Sequence, residues 1–494
     1  MTHTLIIGAG IGGLTTAALL LKAGHKVTVL EAHVYAGGCA GTFYHKGYRF
    51  DAGATLAGGF APGGPHYRLA EILGLDWPIS PADPAWTVHL PNGRAVTQWA
   101  DADHWRAERQ AAFPHSKSFW QTQEMLADLA WDISSRPFPW PPQSLRDWGM
   151  VLAALRPSTL RALPYLFSTI GSLASEQSPM FRAFLDGQLL ISAQATAAQA
   201  SALYGSAALD LPRRGVNHIQ GGIGALADTL VAWLRANGGE VLFRQQVAKI
   251  EVRGGRATAV TTNKGLHLSA DNIVANLTPW ALAELLGPDA PNSLRREVQR
   301  RGPTWGAFTL YLGLDGAKLP PLVASHHQII QDHKRPLGEG NSVFVSLSKE
   351  GDERRGPAGH RTATLSTHTD VDSWWRLRHT DRAAYHARRD DYVEKLLVGA
   401  ETAVPGIRQA ITLCLPGTPV TFQFYTRRPQ GMVGGFPQTS LFDVRGPATD
   451  LPNLWLVGDS IFPGQSTAGV TLGGMRVATA VAHAAGLQKS ARLL

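Results

Sequence analysis

The sequence predicts an α/β protein: a parallel sheet with an attached β-meander, interleaved with a second, α+β domain. Three observations carry this. A short apolar run at the N-terminus passes through closely spaced glycines into a helix-periodic stretch. Near the other terminus, "NLWLVGD" (453–459) is a second apolar run that ends in Gly-Asp before another helical stretch. Between them, residues 76–214 lose the glycine patterns and gain Trp and Pro. At 494 residues the chain has room for two domains, and 44% hydrophobic against 17% charged residues suits large cores.

The N-terminal unit reads strand, turn, helix, strand. Leu5–Ile7 suit a buried parallel strand, and Gly8, Gly10 and Gly13 follow as G-x-G-x-x-G. Leu14, Ala17, Ala18 and Leu21 continue at helical spacing, Gly24 stops the helix, and Val27–Leu30 form a strand ending at Glu31. Gly8 permits the turn, Gly10 lets backbone approach a pyrophosphate, and Gly13 lets helix and strand pack closely. The helix N-terminus faces the phosphates, and Glu31 stands where a carboxylate binds ribose hydroxyls. The unit is thus a Rossmann-like dinucleotide site.

The next stretch favours FAD over NAD. Gly37-Gly38 follows the acid almost at once, and the chain continues as a loop into "YRFDAGA" rather than as a helix. Backbone at Gly38 can lie along the second half of a long cofactor. At the far end, Gly458-Asp459 beyond a buried strand would set a carboxylate on the ribityl hydroxyls. The helix that follows, from Ala468, would aim its N-terminus at the flavin ring.

The middle segments are read more coarsely. "QVAKIEVR", "RATAVTT" and "LHLSA" form an antiparallel meander with Gly254-Gly255 as a hairpin turn, and "DNIVANL" is a buried strand. Leu226, Leu230, Trp233 and Leu234 share a helix face. Gly222-Ile223-Gly224 reads as a helix start, since no buried strand precedes it. "AFTLYLGL", "RTATLSTHTD" and "PVTFQFYTR" read as strands. Residues 150–174 read as apolar helices interrupted at Pro157 and Pro164, with Arg156 and Arg161 beside apolar residues. Trp374-Trp375 either line an apolar tunnel or pack.

Other chemistries find little support. Cys39 and Cys414 exclude a disulfide framework, lack metal-ligand spacing and fit a reducing compartment. His326-His327, His360 and His368 form no metal pattern, so no metal is expected. No G-x-S-x-G motif is present. The net charge of +8 suits an anionic membrane surface, and without zinc-finger or basic-zipper spacing no nucleic-acid partner is expected. The start lacks a signal-peptide pattern, and no apolar run reaches the roughly 18 residues of a membrane span.

"GAGIGGL", "FDAGAT" and "NLWLVGDSIFPGQSTAGVTLGG" together resemble the FAD-dependent carotenoid desaturases and isomerases, within the amine-oxidase-like flavoproteins. The match is closest to bacterial carotenoid 3',4'-desaturases. The resemblance implies FAD, an acyclic carotenoid substrate, and oxidation of its 3',4' C–C bond by hydride transfer to flavin N5. It also implies backbone contact of Val247 with the adenine and cofactor contact at Val470. One departure stands out: Cys39 occupies a position where many relatives carry Arg or Lys. The implied division puts 1–75, 215–300 and 441–494 in the FAD-binding domain. Residues 76–214 and 301–440 form the substrate domain, with membrane-associated helices near 147–175. No catalytic residue is identified; Asp186 is a guess at the proton acceptor and reads better as structural. Without a second nucleotide motif, oxygen or a quinone is expected to reoxidise the flavin. A cytoplasmic protein held peripherally on the inner face of the cell membrane is expected. A carotene cis–trans isomerase using reduced FAD, a flavin amine oxidase, and a non-catalytic flavin or carotenoid binder stay open as alternatives.

Overall fold

The structure, a computed structural model, describes residues 1–484 except 137 and 177. The β-branched and Leu-rich runs that the sequence singles out become five parallel strands. Their spatial order is Leu454–Leu456, Asn272–Ala275, His3–Ile7, Lys26–Leu30, Glu240–Leu242. The first strand and both its neighbours are buried on both faces, as the continuous apolar runs require. Helix Ile11–Lys22 covers one face and packs against helices Ala225–Ala236 and Ser466–Ala484. The meander Val247–Arg253, Arg256–Thr262, His267–Ser269 packs on the other face. Its first hairpin turns at Gly254 and Gly255, both at positive φ. The last helix is described to Ala484; the remainder of the 441–494 segment lies outside the described residues.

The second layer is a seven-stranded mixed sheet ordered Ile411–Gly417, Gly306–Asp315, His360–Thr369, Ser342–Leu347, His326–Ile330, Trp86–His89, Ala95–Gln98. Its two faces differ. Phe308, Leu310, Leu312, Val345 and Leu365 point to one side and bury against helix Arg382–Ala403. Register places Thr309, Tyr311, Phe344, Thr364, Ser366 and His368 on the opposite, inner face. Trp374 is fully buried with Phe308 and Tyr392 on the outer side, so it packs rather than lining a tunnel. Trp375 donates its indole N–H to the Gln430 carbonyl.

One element departs from expectation. "PVTFQFYTR" is helical over Pro419–Thr426, not a strand. Pro419 stands in the first turn, and Thr418 and Thr421 form a reciprocal capping box. These local start signals outweigh the β-propensity of the aromatic and branched residues that follow.

The layers are joined by a buried ion pair. Arg355 Nη1 donates to both carboxylate oxygens of Asp51 at 2.9 Å. Asp51 Oδ1 also accepts from Thr42 Oγ1 at 2.8 Å and from the Ile223 N–H at 2.9 Å. Asp51, the acid of "FDAGAT", is thus a structural hub.

Candidate functional site

Because the five strands are parallel, their C-terminal ends share one edge, and the residues just beyond them meet there. Gly8 turns at φ +93° and donates its N–H to Leu30 O at 2.8 Å. Glu31 follows the neighbouring strand. Its Oε2 accepts from the Ala9 N–H at 2.8 Å and its Oε1 from the His33 N–H at 2.7 Å. Burial pushes the Glu31 carboxyl up, while backbone N–H groups of His33, Ala9 and Ala32 partly offset that. The carboxylate is therefore fixed by the turn it closes.

The glycines have distinct packing reasons. A Cβ on Gly13 would lie 2.5 Å from Gly8 O, so helix and strand touch through backbone. Gly37 donates its N–H to Ala9 O at 2.8 Å, and a Cβ on Gly38 would stand 3.9 Å from the Gly10 Cα. The second glycine pair therefore lies against the first loop. Gly458 turns at φ +130° beyond the last strand.

The last helix completes the edge. A Cβ on Gly474 would lie 2.7 Å from Gly12 O, and one on Gly12 would lie 3.4 Å from Val470 O. The N-terminal parts of helices Ile11–Lys22 and Ser466–Ala484 thus converge. Val247 begins the meander next to Glu31, since the Gln245 N–H donates to Glu31 O at 2.8 Å. All nine sequence-derived positions, Gly8, Gly10, Gly13, Glu31, Gly38, Val247, Gly458, Asp459 and Val470, sit on or beside this edge.

Two residues at the edge escaped the sequence reading. Asn276 follows strand Asn272–Ala275, and its side-chain amide packs among Gly8, Gly10, Gly13 and Gly458. It stands just past a strand end, as Glu31 and Asp459 do, and that position is the signal that could have found it. Arg428 reaches the edge from the second layer. Its Nη1 donates to Asp459 Oδ2 at 2.9 Å and Oδ1 at 3.2 Å, and its Nε donates to Met432 O at 2.7 Å. Burial pushes the nearby Cys39 thiol up, although the Arg428 charge works the other way, so the thiol is not activated.

The donor set fits a dinucleotide with a flavin end. Helix Ile11–Lys22 has no side-chain cap at Gly10, which leaves its first-turn N–H groups for an anion. The Thr467 hydroxyl, buried in the first turn of the last helix, has no hydrogen-bond partner among the described residues. Tyr311 donates to Ala52 O at 2.7 Å and Thr364 to Asp51 O at 3.3 Å, which seats the inner face of the large sheet on the loop that follows Cys39.

The remaining candidates are structural. Asp186 Oδ1 accepts from the Ala197 N–H at 2.6 Å and ties down the loop after helix Pro179–Ala193. His326 pairs with His218 and Ser346, His327 with His89, His360 with Tyr48 and His368 with Gln194. Among the described residues, no group of three His, Cys, Asp or Glu is placed to hold a metal ion.

Comparison with known proteins extends this reading. The family model described as flavin containing amine oxidoreductase matches residues 11–482. Prolycopene isomerase of Arabidopsis thaliana is 28% identical over 508 residues, covering 99% of this chain and 84% of the relative. Phytoene desaturase (neurosporene-forming) of Rhodobacter capsulatus is 24% identical over 523 residues, covering 98% and 94%. The crystal structure of an oxidoreductase from Methanosarcina mazei superposes with a TM-score of 0.65 at 19% identity, covering 96% of this chain and 99% of that one.

Proposed function

The chain belongs to the flavin containing amine oxidoreductase family, and we propose that within it this FAD-dependent oxidoreductase is a carotenoid desaturase. The observation that carries the substrate class is the inner face of the large sheet. Beyond the part that Tyr311 and Thr364 seat on the end of strand Tyr48–Asp51, the half-buried Phe344, Ser366 and His368 face inward there, and none is ionised at neutral pH. Burial holds the His368 pKa down to about 4. A cationic amine buried on this face would lack a paired carboxylate, whereas an uncharged polyene needs none. Whole-length similarity to a phytoene desaturase points the same way.

When bound, FAD would supply a two-electron acceptor for a hydride from one carbon of a C–C single bond whose neighbouring carbon gives up a proton. The protein's part is placement. Gly8, Gly10 and Gly13 would admit the pyrophosphate, Glu31 would hold the adenosine ribose, and Val247 would meet the adenine through its backbone. Gly38, Gly458 and Asp459 would line the ribityl chain, and Val470 would stand by the ring. The inner sheet face would hold the polyene against that ring in a dry site. The finer assignment is the 3',4' bond of an acyclic carotenoid, with oxygen or a quinone as final acceptor.

Glu31→Gln is expected to weaken FAD binding about tenfold or more, because a neutral amide loses the charge-assisted bonds from Ala9 and His33. Titration of apoprotein with FAD measures this.

Membrane contact has its own support. Leu145, Leu152, Leu160, Leu163 and Phe167 are each more than half exposed, and the Phe167 ring stacks on exposed Phe442 at 5.6 Å. Arg146, Arg156 and Arg161 are exposed in the same segment. Such a patch buries its apolar side in an anionic lipid surface. Among the described residues, no helix is long and apolar enough to cross a membrane. We place the protein at the cytoplasmic face of the cell membrane. Leu152, Leu160 and Leu163 all changed to Glu should abolish co-sedimentation with anionic vesicles while leaving flavin content unchanged, since none is in the core.

Expression in a host that accumulates lycopene or its 1-hydroxy derivative tests the activity. A product lighter by two hydrogens with red-shifted absorption supports desaturation. An isobaric product with a new retention time would instead support cis–trans isomerisation, the reading favoured by similarity to a prolycopene isomerase over 99% of this chain.

A further inference from the structure

Three distant parts of the chain meet at one guanidinium. Arg428 lies within electrostatic reach of Cys39 in the loop after the first glycines, and it hydrogen-bonds Asp459 beyond the last strand and the carbonyls of Met432 and Gly434 in its own loop. Both members of the ion pair are largely buried, with side chains 14% and 21% exposed. Desolvation at that depth is costly, and it is offset here by a carboxylate and two carbonyls around one cation. The surrounding backbone is shaped for the contact. A Cβ on Gly435 would lie 2.0 Å from Asp459 O, so the 428–435 loop rests directly on the Asp459 backbone.

We propose that Arg428 is a positioning residue: it docks the second layer's loop on the cofactor edge and holds the Asp459 carboxylate aimed at the ribityl hydroxyls. This rests on the reading of Gly458-Asp459 as the ribityl site. A carboxylate offers about four lone-pair directions, and Nη1 of Arg428 engages both oxygens without using them all. Acceptors remain for sugar hydroxyls, and their orientation is fixed before the cofactor arrives, which lowers the ordering cost of binding. The pair is neutral as a unit, so it suits an uncharged polyol rather than a phosphate. The arrangement also accounts for Cys39. A second cation at 39 would face Arg428 with no added anion, whereas a small neutral thiol fills the contact. The positive charge of this loop is carried by residue 428.

The test is a double-mutant cycle read by FAD affinity of the apoprotein, through quenching of flavin fluorescence, with circular dichroism as the check on folding. Arg428→Met and Asp459→Asn are each expected to raise the FAD dissociation constant about tenfold or more. The double variant should lose little beyond either single, because each change disables the same unit. Arg428→Lys keeps a charge without the fork and should fall between wild type and Arg428→Met; it carries the test if the methionine variant does not fold. Cys39→Arg in the wild-type background should weaken FAD binding, and in the Arg428→Met background should restore part of it. An Arg428→Lys or Arg428→Met protein that binds FAD as wild type does would overturn the proposal, as would losses that simply add. If the wild-type apoprotein itself fails to bind FAD, the cofactor reading falls rather than this inference.

Discussion

Arg355→Met is expected to destabilise the protein by about 3–5 kcal/mol, the cost of leaving a buried carboxylate without its cation. Asp51 and Arg355 have side chains only 6% exposed. With Arg355 gone, Asp51 keeps Thr42 and the Ile223 N–H, two donors that cannot neutralise its charge. The damage should spread, because Arg355 also bonds Thr362 Oγ1 on the large sheet and so ties that sheet to the cofactor layer. Asp51→Asn combined with Arg355→Met should cost less than the two single changes summed, since no unpaired charge is left behind. Urea denaturation of the three variants measures this. Equal stability of Arg355→Met and wild type would show that the pair contributes nothing to joining the layers.

Gly13→Ala should yield a folded or partly folded protein without flavin. The added methyl would sit 2.5 Å from Gly8 O and 2.9 Å from Asn276 Cβ. The first neighbour is backbone in the turn itself, so relief requires moving the helix off the strand. That displaces the uncapped helix N-terminus from the phosphates. Gly12→Ala is the internal control. Its methyl would meet a Val457 methyl at 3.2 Å, a side chain able to shift, and flavin content should fall far less. The ratio of visible flavin absorbance to protein absorbance in each purified variant decides between these outcomes.

The cofactor edge was largely legible because its parts are local. G-x-G-x-x-G lies between two apolar runs, Glu31 directly follows a strand and Asp459 stands three residues past the end of another, so spacing alone places them. Asn276 obeys the same rule but lacks a charge to draw attention. Arg428 was not legible, since its partners come together only when the large sheet docks on the parallel one. The same holds for the inner sheet face. Alternation in "AFTLYLGL" separates two sets of residues, but which set faces the cofactor depends on helix Arg382–Ala403 covering the other. The composition of the stretch from Pro419 favours a strand, but the capping box of Thr418 with Thr421 decides that element as a helix. The exposed apolar side chains near 145–167 illustrate a further limit: periodicity marks an apolar stripe but not whether protein covers it.

Anaerobic mixing of the FAD-loaded enzyme with carotenoid-bearing vesicles tests the central claim most directly. Desaturation requires the oxidised flavin band to bleach in proportion to polyene that has lost two hydrogens, before any acceptor is added. A flavin band that stays unchanged while the polyene alters only its retention time, or does not change at all, would contradict the account.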